Sequence, residues 1–192
     1  MRGVAWRSLP NVITGSRFVL ILVLWVFALS GSVRVVGGGI VLAWLTDALD
    51  GFLARRLEAE SALGSQLDSM ADTLLFISAL AWVFLLEPAF VQRHAMELGI
   101  WIGLSGLGYL VGWIRFRKVA DVHLASAKLA NFLGLFFAAG LLILGGYHPL
   151  VYWLVLGVCV WASLETLLVF LFFPEVDESI RTILARSRHR GT

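Results

Sequence analysis

The chain has 192 residues, of which 59% are hydrophobic and only 15% are charged, whereas soluble domains are about 45–50% apolar and ~25% charged. This composition excludes an ordinary soluble domain, and a formal net charge of +2 is too small to indicate a nucleic-acid partner. The single cysteine, Cys159, excludes a disulfide framework. We expect no secretory signal, because Met1-Arg2-Gly3 is followed by the helix breaker Leu9-Pro10-Asn11 and no small-residue cleavage site follows the first apolar run.

Hydropathy predicts six membrane-spanning helices, each near the ~20 residues that cross the hydrocarbon core. The predicted spans are 13–30, 33–55, 65–86, 95–116, 124–145 and 149–173. We expect residues 1–10 to form a short interfacial segment and residues 173–192 to form a basic, amphipathic cytoplasmic tail. The sequence therefore predicts an all-α integral membrane protein with one domain over residues 1–192.

An even number of spans places both termini on one side of the membrane. Thirteen of the fifteen lysines and arginines fall on that side, and only Arg34 and Arg93 fall on the other. By the positive-inside rule, the termini and the turn between the second and third spans face the cytoplasm. We therefore expect a protein of the cell membrane.

Four aspartates flank that turn: Asp47, Asp50, Asp68 and Asp72. A carboxylate deep in a bilayer costs roughly 2.5–3.5 kcal/mol, so such residues usually have a function. Asp47 and Asp50 are three residues apart, and Asp68 and Asp72 are four apart, so each pair shares a helix face. If the two helices pack as a hairpin, the four carboxylates converge and repel one another. Hard divalent cations such as Mg²⁺, Mn²⁺ or Ca²⁺ relieve that repulsion.

Small and basic residues accompany the aspartates. Gly51, Ala54 and Gly64 keep the same faces free of bulk, and Arg55 adds a cation suited to a phosphate. The alternative is that the charges only reach the membrane surface and the small residues only allow close packing. Their coincidence on two consecutive helices favours a diphosphate site.

This pattern resembles the signature of the CDP-alcohol phosphatidyltransferase family. The matching residues are Asp47-x-x-Asp50-Gly51-x-x-Ala54-Arg55, followed after eight residues by Gly64-x-x-x-Asp68-x-x-x-Asp72. Upstream, Asn11-x-x-Thr14-x-x-Arg17 resembles a segment common in bacterial members. With the six-span layout, the resemblance covers nearly the whole chain.

The resemblance implies a phospholipid-biosynthesis enzyme that transfers a phosphatidyl group from CDP-diacylglycerol to a small alcohol and releases CMP. It implies two Mg²⁺ or Mn²⁺ ions held by Asp47, Asp50 and Asp68, with Asp72 near the metals and acting as the general base. It also implies a homodimer, and a CDP-lipid site bordered by Thr14, Gly51, Ala54, Arg55 and Gly64.

The acceptor alcohol stays open. The segment Asp68-Ser69-Met70-Ala71-Asp72 departs from the Asp-Pro-x-Ala-Asp-Lys form of glycerol-phosphate-using members and is closer to serine-using and inositol-phosphate-using ones, although the chain is as short as many glycerol-phosphate enzymes. Arg115, Arg117 and Lys128 either only set the topology, or one arginine and Lys128 bind a phosphate on the acceptor. Residues two apart on a helix diverge by ~200°, so at most one of the two arginines points inward.

Two other functions are compatible with part of this pattern. A membrane prenyltransferase also binds a diphosphate through Mg²⁺, but it usually needs two distant acidic motifs. A divalent-cation transporter predicts charges near mid-bilayer in broken helices, whereas these aspartates lie at span ends. Inside the last span, Glu165 is either functional or paired with a neighbouring polar group.

Overall fold

The computed structural model describes residues 9–56, 62–116 and 124–172. These ranges form helices joined by short turns, which confirms the predicted all-α class. The helices are α1 (Leu9–Leu29), α2 (Val33–Arg56), α3 (Ala62–Leu86), α4 (Pro88–Arg93), α5 (Ala95–Phe116), α6 (Ala125–Leu144) and α7 (Pro149–Phe172). The predicted interfacial segment, apart from Leu9 and Pro10, and the predicted basic tail lie outside the described residues.

The six long helices begin and end within a few residues of the predicted spans. The expectation that Leu9-Pro10-Asn11 is a helix breaker is wrong, because the first helix begins at Leu9 and includes these residues. Proline is tolerated in the first turn, where the backbone N–H it lacks would have no acceptor within the helix. The short helix α4 was not predicted; it begins at Pro88 by the same rule.

Two glycines in a left-handed conformation end helices at or next to the ends of predicted spans. Gly31 has a φ of 74°, its N–H donates to the Ala28 carbonyl, and the Ser32 N–H donates to the Phe27 carbonyl. This pair of hydrogen bonds is the Schellman motif. Gly145 has a φ of 66°, and its N–H donates to the Leu141 carbonyl. Both turns therefore require a residue without a Cβ penalty.

Within the described residues, four helical segments are long and apolar enough to cross a membrane: Gln66–Leu86, Ala95–Arg115, Ala125–Leu144 and Pro149–Phe172. The apolar part of α1, Gly15–Leu29, is shorter. The helix α2 is not among the four, and it carries two aspartates and two arginines near its C-terminal end. The chain is thus an integral membrane protein by this measure, and the count of six spans stays a prediction.

The chain divides into two compact units. The first contains α1, α2, α3 and residues 138–146, and in it α1 packs against both α2 and α3. A Cβ added to Gly39 of α2 would lie 2.1 Å from Cδ2 of Leu24 in α1, so the two helices approach closely there. Trp82 of α3 is fully buried, and its ring packs edge-on against that of Trp25, with centroids 5.8 Å apart. Apolar packing thus fixes the helices that carry the aspartates.

The second unit contains residues 89–137 and those from 147 onward. In it α5 packs against α7. A Cβ added to Gly112 would lie 2.7 Å from the ring of Phe170, which is itself buried. The Ser105 and Ser163 hydroxyls are 2.7 Å apart and share a hydrogen bond. Small residues therefore allow close packing here, as is common between membrane helices.

Candidate active site

Three carboxylates converge in the first unit. Asp47 comes from the second half of α2, and Asp68 and Asp72 come from consecutive turns of α3. One carboxylate oxygen from each of the three lies within 4.8 Å of the others. The predicted convergence is thus found for the three aspartates whose side chains the structure describes.

The three carboxylates are open to solvent to different degrees. The exposed fraction of the side chain is 33% for Asp47, 42% for Asp68 and 52% for Asp72. Several carboxylate oxygens from two helices form a donor set suited to a hard divalent cation. The residues present therefore fit the metal that the sequence predicts.

A buried arginine, which the sequence analysis did not assign to the site, lies among these carboxylates. The Nη1 atom of Arg17 is 2.9 Å from Asp47 Oδ1 and donates a hydrogen bond of 2.7 Å to Asp72 Oδ1. Its Nη2 atom donates to Asp68 Oδ1. The Arg17 side chain is only 1% exposed. One signal was present in the sequence, since a lone basic residue within an apolar helix usually has an acidic partner.

Other predicted site residues are placed only in part. Gly64 lies in the first turn of α3, one turn before Asp68. The structure does not describe the surroundings of five other predicted site residues: Asp50, Gly51, Ala54, Arg55 and Thr14. Their roles as a metal ligand and as CDP-lipid contacts stay predictions.

The predicted acceptor residues belong to the second unit. Arg115, near the end of α5, donates through Nη1 to the Phe170 carbonyl at 2.8 Å and also to the Leu171 carbonyl. Lys128 is exposed and lies in the first turns of α6, and Arg117 lies outside the described residues. The contacts of Arg115 place its guanidinium at the C-terminal end of α7, where a cation satisfies carbonyls that lack a helical partner.

Glu165 has a polar partner inside the second unit. Its side chain is buried, and the Ser126 hydroxyl donates to Glu165 Oε2 at 2.5 Å. Of the two alternatives for this residue, pairing with a neighbouring polar group is therefore found. The contact joins the beginning of α6 to α7.

Comparison with known proteins shows which family shares the aspartate pattern. The model of the CDP-alcohol phosphatidyltransferase family matches residues 7–170. The chain is 44% identical over 69 residues to a cardiolipin synthase (CMP-forming) of Rattus norvegicus. This match covers 35% of this chain and 23% of the rat protein.

Two bacterial relatives are named CDP-diacylglycerol–glycerol-3-phosphate 3-phosphatidyltransferase. The protein of Pseudomonas fluorescens is 34% identical over 100 residues, covering 50% of this chain and 46% of that one. The protein of Rickettsia typhi is 30% identical over 146 residues, and this match covers 72% of this chain and 78% of the Rickettsia protein. The match thus spans less than half the length of the rat and Pseudomonas proteins. No solved structure matches the chain.

Proposed function

The chain belongs to the CDP-alcohol phosphatidyltransferase family, and on that premise we propose that it transfers a phosphatidyl group from CDP-diacylglycerol to the hydroxyl of a small alcohol and releases CMP. The observation that carries the proposal is the convergence of Asp47, Asp68 and Asp72 from two helices. Family membership also favours this reaction over the prenyltransferase and transporter alternatives.

The aspartates are proposed to hold two divalent ions, Mg²⁺ or Mn²⁺, with Asp50 as a further ligand. When bound, the ions supply charge neutralisation for the diphosphate and for the departing CMP. On the protein side, Arg55 is proposed to bind a phosphate of the donor. Gly51, Ala54, Gly64 and Thr14 are proposed to border the CDP moiety, and small residues there leave room for a ligand near the backbone.

Asp72 is proposed as the general base. Its carboxylate takes the proton of the acceptor hydroxyl, and the acceptor oxygen forms a bond to the phosphorus of the phosphatidyl group. The bond between that phosphorus and the oxygen bridging to CMP breaks, and CMP leaves with the electron pair. Asp72 is the most exposed of the three described carboxylates, which suits a group that meets a water-soluble acceptor.

The proposed acceptor is glycerol 3-phosphate. Bacterial relatives matched over most of their length carry the name of a glycerol-3-phosphate 3-phosphatidyltransferase. A second candidate is a lipid that presents a glycerol hydroxyl, because the rat and human relatives are named cardiolipin synthase. Arg117 and Lys128 are proposed to bind the acceptor phosphate, since Arg115 already contacts the α7 carbonyls.

The proposed location is the cell membrane, with six spans and both termini in the cytoplasm. The support is the distribution of lysine and arginine, thirteen of fifteen on one side. The active site then faces the cytoplasm, where CDP-linked donors and soluble acceptors meet. A homodimer is proposed from the family resemblance, and light scattering on the detergent-solubilised protein measures it.

The test is an assay of CMP release by the purified full-length chain in detergent. The reaction contains CDP-diacylglycerol, Mg²⁺ or Mn²⁺, and one acceptor at a time: glycerol 3-phosphate, phosphatidylglycerol, serine, inositol phosphate or inositol. We expect release only with a divalent ion and the fastest release with glycerol 3-phosphate. Asp68→Asn should abolish it without loss of the fold, whereas Glu87→Gln, which lies between α3 and α4, serves as a control.

The outcomes separate the parts of the proposal. Rapid CMP release in excess chelator would contradict the metal assignment. Rapid release with serine or inositol, and none with the glycerol-containing acceptors, would contradict the proposed acceptor but not the reaction class. No release with any acceptor, from a protein that is folded and binds CDP-diacylglycerol, would contradict the proposed activity.

A further inference from the structure

The guanidinium of Arg17 is the central group of the aspartate cluster. It contacts one oxygen of each of Asp47, Asp68 and Asp72. Arg17 comes from α1, whereas its partners come from α2 and α3. A single side chain therefore ties three helices together at the site.

The chemistry of this contact has two separate consequences. A guanidinium is planar, always charged and rich in donors, so it orients several carboxylates at once. Its positive charge also offsets the mutual repulsion of three carboxylates whose oxygens lie within 4.8 Å. The same charge opposes any further cation that binds these oxygens.

We propose that Arg17 is a positioning residue that sets the affinity of the site for divalent cations. Its fork orients Asp47, Asp68 and Asp72, which favours metal binding, and its charge lowers the affinity. The inference rests on the proposed metal role of these aspartates. It predicts that the two contributions can be separated by substitution, because they act in opposite directions.

Two substitutions of Arg17 separate the effect of its charge from the effect of its orientation of the carboxylates. Arg17→Gln removes the charge together with the fork, so its net effect shows whether the charge is the larger contribution. Arg17→Lys keeps the charge but replaces the planar fork with a point charge. The wild type and both variants are purified in detergent in mildly alkaline buffer, so that the carboxylates are ionised. Thermal unfolding is then followed while Mg²⁺ is titrated from excess chelator. A fit of the melting temperature against the free Mg²⁺ concentration gives the apparent dissociation constant.

We expect this dissociation constant to shift in opposite directions in the two variants. Arg17→Gln should bind Mg²⁺ about tenfold more tightly than the wild type, since a unit charge a few ångströms from a divalent ion has a large effect even in a partly exposed site. Arg17→Lys should bind it about threefold or more weakly. In chelator, both variants should unfold at a lower temperature than the wild type. Arg34→Gln, an exposed arginine in the first turn of α2, should behave as the wild type.

The result distinguishes this inference from the proposed function. If Mg²⁺ and Mn²⁺ do not stabilise the wild type, the proposed metal site is wrong. If they do, but both Arg17 variants bind Mg²⁺ more weakly or neither dissociation constant changes, Arg17 has only a structural role and the inference is overturned. Should Arg17→Gln not yield folded protein, Arg17→Lys decides: a higher dissociation constant supports the positioning role, and an unchanged one overturns it.

Discussion

The three consecutive glycines of α2, residues 37–39, allow a sharp test of the packing that supports the site. Gly37 is buried, and a Cβ added to it would lie 2.8 Å from Ile143 Cγ1, 3.1 Å from the Ala139 carbonyl oxygen and 3.1 Å from the Ile143 nitrogen. Gly38 is exposed, and a Cβ added to it meets nothing within 4 Å. The substitutions Gly37→Ala and Gly38→Ala therefore differ almost only in this clash.

The size of the difference follows from what the added methyl group meets. Two of the three nearest atoms belong to the backbone of α6, so the clash is relieved only if α2 and α6 move apart. Overpacking of this kind costs about 1–3 kcal/mol. Both variants gain the same helix propensity of up to ~1 kcal/mol, which cancels in the comparison. At about 2–4 °C per kcal/mol, Gly37→Ala should melt roughly 2–12 °C below Gly38→Ala.

The assay is thermal unfolding in one detergent at one scan rate, followed by tryptophan fluorescence, because membrane proteins often unfold irreversibly. CMP release is measured in parallel, since Asp47 follows Gly37 by ten residues, or ~15 Å, along the same helix. Equal melting temperatures for the two alanine variants would refute the close approach of α2 to residues 139 and 143. A lower melting temperature for Gly38→Ala would refute it as well.

Three further predictions concern single side chains. Asp72→Asn should lose turnover but keep its affinity for CDP-diacylglycerol, because a base acts on the acceptor; a comparable loss of donor binding would make Asp72 chiefly a metal ligand. Glu165→Gln should keep the fold, since its amide oxygen still accepts from Ser126. Glu165→Leu should lower the melting temperature by leaving the half-buried Ser126 hydroxyl without this acceptor, a loss of about 0.5–1.5 kcal/mol. Arg115→Ala should lower the melting temperature with little effect on the KM of the acceptor, and Arg117→Ala should raise the KM of a phosphorylated acceptor. A raised acceptor KM for Arg115→Ala, with an unchanged one for Arg117→Ala, would contradict the proposed acceptor site.

The helices were predictable because their signals are local. Long apolar runs separated by glycine or charged turns indicate membrane helices, and the helix ends at Gly31 and Gly145 follow from residues adjacent in sequence. The unpredicted helix α4 and the early start of α1 show the limit of this reasoning. In both cases a proline that predicts a break instead lies where a helix begins.

The aspartate site was predictable in part for the same reason. Asp68 and Asp72 are one helical turn apart, so their spacing alone places them on one face. Asp47 joins them because the second and third long helices are close in sequence and pack in the same unit. Local spacing and a short connection therefore determined which carboxylates meet.

The tertiary structure alone decided which distant residues complete the site. Arg17 is separated from Asp68 by 51 residues and from Asp72 by 55, and no periodicity in α1 indicates that this side chain reaches them. The same holds for Arg115, which contacts carbonyls 55 and 56 residues later. Helix spacing reports which residues share a face, but the face that meets a neighbour depends on the close packing of side chains between helices, which no single helix encodes.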